Sequence, residues 1–138
     1  DQHAILEVSA LLEHADIGVR KAAVDALANL SKRGDRHAII AVSKRLEHED
    51  PEVRLAAVGA LEIIAKKGDQ SIIAVVSNCL EDKAIDVRRA AVNTLAAIAG
   101  RGNQYAMTAV SSRLEHEDSG VRMVAVEALA LFAERGDE

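Results

Sequence analysis

Aspartate and arginine recur along the chain as pairs four residues apart. The pairs are Asp16 and Arg20, Asp50 and Arg54, and Asp118 and Arg122. Arginine stays charged and is a poor proton donor, whereas its planar guanidinium makes paired hydrogen bonds with carboxylates and turn carbonyls. We therefore interpret these pairs as structural and expect no catalytic role for them.

Serine also recurs at a fixed interval. The four serines are Ser9, Ser43, Ser77 and Ser111. A serine nucleophile needs a neighbouring base such as histidine, but the helical spacing places these serines on the buried side of a helix, away from the histidines. We predict that each hydroxyl bonds the carbonyl one turn back.

Histidine adjoins glutamate at His48-Glu49 and His116-Glu117, and alanine at His14-Ala15. Metal ligands lie about 2.0 to 2.2 Å from a first-row metal, whereas equivalent residues of stacked helices are about 8 to 10 Å apart. Phosphate loops and nucleophile elbows are absent. The sequence therefore predicts no metal site, no cofactor and no catalytic residues.

These residues belong to a repeat of 34 residues. Glycine marks the interval at Gly34, Gly68, Gly102 and Gly136, and Val-Arg keeps the same spacing. Fixed periods of this length indicate stacked helix pairs. The sequence predicts one array without a separate domain, which we expect to be a piece of a longer one. Its repeats span residues 1–34, 35–68, 69–102 and 103–136.

Each repeat should hold two helices, about Arg36 to Glu47 and Pro51 to Lys67 in the second copy. Asp50 is the expected cap of the second helix, with proline at its first position. Glycine followed by Asp or Asn predicts a one-step corner between repeats. The third turn has Ala84 at the cap position, which predicts either a looser turn or capping by Asp82 or Asp86.

The segment Asp-x-x-Val-Arg-x-Ala-Ala-Val-x-Ala-Leu at residues 50–61 resembles the HEAT-like repeats first recognised in phycobilisome bilin lyases. The resemblance implies an all-α fold, a right-handed superhelix or solenoid of eight helices. It also implies that the Asp and Arg residues form a hydrogen-bond ladder between adjacent repeats. Ten columns are identical in all four repeats, those of Val8, Ser9, Leu12, Glu13, Val19, Arg20, Ala23, Val24, Leu27 and Gly34.

Deoxyhypusine hydroxylase, a HEAT-repeat iron enzyme, carries its His-Glu ligands directly after Val-Arg. This chain departs from that pattern at every repeat, with Lys21-Ala22, Leu55-Ala56, Arg89-Ala90 and Met123-Val124. Two alternatives to a binding module stay open. The chain could be part of a bilin lyase-like or hydroxylase-like enzyme whose active groups lie elsewhere, or it could be a structural spacer.

Composition narrows the classes of partner. A net charge of -5 and 1% aromatic residues disfavour phosphate tracking and base stacking, so nucleic acid is not expected. No apolar run approaches the ~18 residues of a membrane span. Cys79 is the single cysteine, expected to be a small buried apolar residue, and the cytoplasm is the predicted location.

The candidate binding surface is the exposed side of the second helices. Repeat columns 21, 25, 28 and 32, which also include Ala96, fall within about 60 degrees on a helix. They vary most between the copies, which predicts a groove for a partner peptide or helix, although neutral drift would vary them too. The candidate residues are Lys21, Asp25, Leu55, Gly59, Glu62, Arg89, Asn93, Met123 and Glu127.

The two ends of the array should also expose apolar surface that favours association. No charged substitutions shield the apolar side chains of the terminal repeats, which are Ile5, Leu6, Leu11 and Leu12 in the first and Leu131 and Phe132 in the last. An uncapped repeat presents the surface meant for the next one. We therefore expect weak head-to-tail self-association.

Overall fold

A computed structural model describes residues 1–100 and 102–136, and these residues form α-helices joined by short turns. The predicted all-α repeat fold is confirmed, with two helices for each repeat. Three short 3₁₀ turns extend the first helices at Leu11–Glu13, Arg45–Glu47 and Cys79–Glu81. The helices are α1 (Gln2–Ala10), α2 (Ile17–Leu30), α3 (Arg36–Lys44), α4 (Pro51–Ile64), α5 (Gln70–Asn78), α6 (Ile85–Ala99), α7 (Gln104–Ser111) and α8 (Ser119–Gly136).

Aspartate and asparagine side chains start most of these helices, as predicted. The Asp50 carboxylate accepts the amide hydrogen of Glu52 at 2.9 Å, and Pro51 occupies the first turn of α4. Asn103 caps α7 by accepting from Ala106 at 3.0 Å. Each cap satisfies an amide that has no partner within its own helix.

The third turn is not looser, so that expectation is wrong. Ala84 has φ -89 and ψ 128, close to the -84 and 120 of Asp50 at the equivalent position. Asp82 Oδ1 accepts the Ala84 amide at 2.9 Å, which replaces the bond that His48 Nδ1 accepts from Asp50 at 3.0 Å. Asp82 stands at the position equivalent to His48 and accepts the equivalent amide hydrogen, so the turn keeps its geometry.

The corners between repeats are longer than the predicted single step. α2 ends at Leu30, with Ser31 extended, and α4 ends at Ile64 and not near Lys67. Gly34 does take a left-handed φ of 83, but its amide donates to the Ile64 carbonyl of the next repeat at 2.7 Å. The corner is therefore hydrogen-bonded to the following repeat and not only to α2.

The helices form two compact units, Asp1–Lys66 and a second that begins at Lys67. In the first unit α1 packs on α3 and α2 on α4, and in the second α5 packs on α7 and α6 on α8. Each unit thus stacks one repeat on another. That both belong to a single four-repeat array remains a prediction.

Aliphatic side chains and alanines fill both units. The largest buried side chains include Leu12, Leu27 and Leu61 in the first unit, and Leu80 and Leu95 in the second, all 0% exposed. All five belong to the two invariant leucine columns. The period of the sequence therefore sets where the core lies.

Buried serines follow the predicted pattern only in part. Ser9 and Ser77 are buried and donate to Ile5 and Ile73 carbonyls at 2.7 and 2.6 Å, one turn back. Ser43 is half-buried and Ser111 is exposed. Ser77 lies on α5, against which α7 packs, and among the described residues no further repeat covers Ser111.

Candidate protein-interaction surface

The repeated arginines hold the turns of their own repeats. Arg20 Nη1 donates to the carbonyls of His14 and Ala15, both at 2.9 Å. The equivalent arginines bond the same two turn carbonyls in the other repeats. A guanidinium can satisfy two carbonyls at once because its donors form a rigid fork. The structural interpretation of these residues therefore holds.

The partner of Arg20 in the next repeat differs from the expected ladder. Its Nη2 lies 3.4 Å from Glu52 Oε2, whereas Asp16 caps α2 by accepting from Gly18 at 2.7 Å. Because the Asp16 carboxylate caps its own helix, the carboxylate that Arg20 meets in the next repeat is that of Glu52, the second residue of α4. The position equivalent to Glu52 is Gly120 in the last repeat.

A second polar contact joins successive repeats within each unit, and sequence reasoning missed it. Glu13 Oε2 lies 3.1 Å from Arg45 Nε, and its Oε1 lies 3.2 Å from His48 Nε2. The second unit repeats this arrangement. Its distances are 2.9 Å for Glu81 to Arg113 and 3.1 Å for Glu81 to His116. We call these two sets the joint clusters.

The joint clusters show what the histidines of the His-Glu dipeptides contact. The glutamate that contacts each histidine lies 35 residues back in the chain and is not the one next to it. The arginine at each cluster would repel a cation. Among the described residues, no group of three or more His, Cys, Asp or Glu side chains is placed to hold a metal ion.

The candidate residues of the second helices lie mostly at the surface. In the first unit Lys21, Asp25 and Glu62 are exposed, while Leu55 and Gly59 are half-buried. In the second unit Arg89, Asn93, Met123 and Glu127 are all exposed, and Met123 reaches 58%. We call these nine residues the second-helix face, with one part in each unit.

Ala96 does not belong to this face, contrary to its column. It is only 8% exposed and lines a hollow of about 360 Å³ in the second unit together with Gly100, Met107 and Phe132. α8 continues to Gly136 beyond the position where α4 ends. The last repeat therefore lacks an equivalent of Ala65, the extended residue that follows α4.

Comparison with known proteins now decides the family. The model of HEAT repeats matches residues 5–96 and 73–138, which together cover nearly the whole chain. The chain belongs to the HEAT-repeat family. No curated protein matches the chain in sequence.

Solved structures with the same fold include one that matches nearly the whole of this HEAT-repeat chain. It is the crystal structure of an engineered protein, with a TM-score of 0.56 and 23% sequence identity over 97% of the chain. The chain spans 64% of that protein's length. At this identity the likeness concerns the fold alone. No helix of the described residues is long and apolar enough to cross a membrane.

Proposed function

We propose that the chain is a non-catalytic scaffold that binds a peptide or helix of a partner protein on the second-helix face. The observation that supports it most is the contrast between two sets of columns. Packing columns keep the same residue and are buried, as with Leu27 and Leu61, whereas the face is mostly exposed and its residues differ between repeats. Solenoids commonly bind extended ligands on such surfaces.

The chemistry of the face favours a particular partner. Each unit combines one basic and one large apolar side chain in the same column, Lys21 with Leu55 and Arg89 with Met123. Methionine adapts its shape to an apolar ligand, and arginine pairs with carboxylates. An amphipathic helix with an acidic edge would satisfy both.

The proposal places this protein in the cytoplasm, on the ground of its single cysteine. A scaffold also explains why the polar clusters of the fold are used internally. The turn arginines and the joint clusters bind other parts of the chain, and the exposed second-helix face remains for a partner.

Capture from a cell lysate tests the proposal. We expect the triple variant Leu55→Ser, Arg89→Ser, Met123→Ser to lose the captured partner without a lower melting temperature. Leu55 is half-buried, so the double variant at Arg89 and Met123 serves as a second test that leaves the first unit intact.

A matched control lies on the first helices. Leu6, Ile40 and Tyr105 are 50%, 49% and 43% exposed, and their replacement by serine removes a similar apolar area from another face. This control variant should keep the partner. Equal capture by wild type and the Leu55, Arg89 and Met123 variant would contradict the proposal and favour a structural spacer.

A further inference from the structure

The joint between the third and fourth repeats lacks a carboxylate that the first unit supplies. In the first unit Arg20 Nη2 meets Glu52 Oε2 at 3.4 Å. The equivalent positions of the second unit hold Arg88 and Gly120. A Cβ atom built on Gly120 would lie 3.1 Å from Arg88 Nη2, so the guanidinium still reaches this position. The glycine therefore leaves a space where a carboxylate would meet the arginine, and we call Arg88 and Gly120 the carboxylate notch.

Arg88 keeps donors that have no acceptor. Its Nη1 donates to the carbonyls of Asp82 and Lys83 at 2.8 and 3.1 Å. Within the described residues the side chain makes hydrogen bonds only through Nη1, and its buried Nε has no hydrogen-bond partner there. Arg88 is half-buried, whereas Arg20 beside its glutamate is only 8% exposed. Because a guanidinium has five donors and keeps its charge, a carboxylate beside Gly120 would satisfy it.

The aspartate that caps α8 does not exclude a second carboxylate. Asp118 Oδ1 accepts the Gly120 amide at 2.7 Å and lies 3.0 Å from the position of a Cβ on that glycine. In the second repeat Asp50 caps α4 in the same way, and Glu52 still reaches Arg20. The first unit therefore shows that a carboxylate is tolerated beside the cap when the arginine of the preceding repeat pairs with it.

The carboxylate notch adjoins the second-helix face of the second unit. Met123 follows Gly120 by three residues on α8, so the two positions lie on neighbouring turns of one side of the helix. On α6, Arg89 directly follows Arg88. Both Arg89 and Met123 are exposed. A partner helix bound to these two residues would therefore pass beside the notch.

We propose that Arg88 binds an aspartate or glutamate side chain of the partner helix in the space beside Gly120. This inference rests on the proposed function and identifies the group on the acidic edge of the partner that is recognised. In the first unit the equivalent Arg20 is already paired with Glu52. The second unit is therefore the part of the chain that selects for the acidic residue, and Arg89 adds a second positive charge next to it.

A small probe tests the carboxylate notch before the partner is known. N-acetylglutamate N-methylamide carries one side-chain carboxylate and no terminal charge, and N-acetylglutamine N-methylamide is its neutral control. A single ion pair is weak, so the titration extends to a probe concentration on the order of 100 mM at constant ionic strength. In the wild type the glutamate probe should progressively shift the NMR signal of the Arg88 Nε–H group, and the glutamine probe should not.

Gly120→Glu should compete with the probe, because it supplies a carboxylate from the same molecule. An internal pair of this kind should lower the initial slope of the titration about two- to sixfold. Gly120→Ala adds a Cβ without a carboxylate and should keep the wild-type response. Ser119→Glu adds the same charge one residue away, at a position whose equivalents Ile17 and Ile85 are 56% and 48% exposed, and should keep most of it.

The partner isolated by lysate capture should follow the same order, with weaker binding to Gly120→Glu than to Gly120→Ala. Equal partner binding or equal probe titration by these two variants would overturn the proposal. A wild type that does not respond to the glutamate probe, or an equal loss in Ser119→Glu and Gly120→Glu, would also overturn it. Failure of the proposed function has a different signature, which is retained capture by the Leu55, Arg89 and Met123 variant.

Discussion

Gly120→Glu is expected to stabilise the chain by giving Arg88 a carboxylate partner. A Cβ atom placed on Gly120 would lie 3.1 Å from Arg88 Nη2. The equivalent pair, Arg20 and Glu52, forms an ion pair at 3.4 Å. A half-buried pair partly screened by water contributes about 0.2 to 1 kcal/mol.

Gly18→Glu is the matched control for this prediction. Both glycines lie in the first turn of a helix, and a Cβ on either one would lie 3.0 Å from the capping aspartate. Both variants should therefore gain about 0.5 kcal/mol from helix propensity and share the crowding against the aspartate. Only Gly120→Glu also requires the flexible Arg88 side chain to shift, because its Cβ would lie 3.1 Å from Nη2. No repeat precedes the first one in the described residues, so only Gly120→Glu meets an arginine of the same molecule.

The difference between the two variants measures the ion pair. Urea unfolding followed by circular dichroism at micromolar concentration gives the free energy of unfolding of each variant, and the low concentration keeps the chains apart. We expect Gly120→Glu to be the more stable, with an advantage that shrinks at high salt. Equal stability, or an advantage that is insensitive to salt, would refute the reasoning about Arg88.

Two further predictions concern the core and the modularity of the repeats. Leu61→Ala should lower the free energy of unfolding by about 2 to 5 kcal/mol, because Leu61 is 0% exposed. Lys66 is exposed, so Lys66→Ala should change it by no more than about 0.5 kcal/mol. Similar losses for both variants in urea unfolding would mean that the buried face is misassigned. Deleting residues 69–102 should leave a folded three-repeat protein in which Glu47 meets Arg113 and His116. Deleting residues 35–68 instead places Glu13 opposite Cys79 and Asp82, so this variant should melt at a lower temperature than the one that lacks residues 69–102. A higher melting temperature for it would exclude a role for the joint clusters in stability.

Local features of the fold were predictable from the sequence. A cap such as Asp50 acts on an amide two residues away, and a buried leucine such as Leu61 belongs to a periodic pattern. Partners in the next repeat were not predictable in the same way. The bond from Gly34 to Ile64 and the contact of Glu13 with His48 join residues that are 30 and 35 positions apart.

The candidate surface shows the same division. A helical wheel gives the direction of a side chain, so the exposure of Arg89 and Met123 follows from their columns. It cannot include the course of a neighbouring helix, and Ala96 is only 8% exposed on α6, against which α8 packs. The joint clusters did leave one signal in the sequence, since an invariant glutamate column accompanies arginine and histidine in two of the following repeats.

The forward direction of the contacts between repeats bears on how such a chain can evolve. Arg20, Glu13 and Gly34 each contact a residue of the following repeat. A duplicated segment of 34 residues therefore carries both partners of each kind of contact, wherever the segment begins and ends. A duplication or loss in any phase then recreates complete joints. Recombination is constrained only where neighbours have diverged, as at Cys79 and Asp82, which make the third repeat less interchangeable as a successor than the second or the fourth.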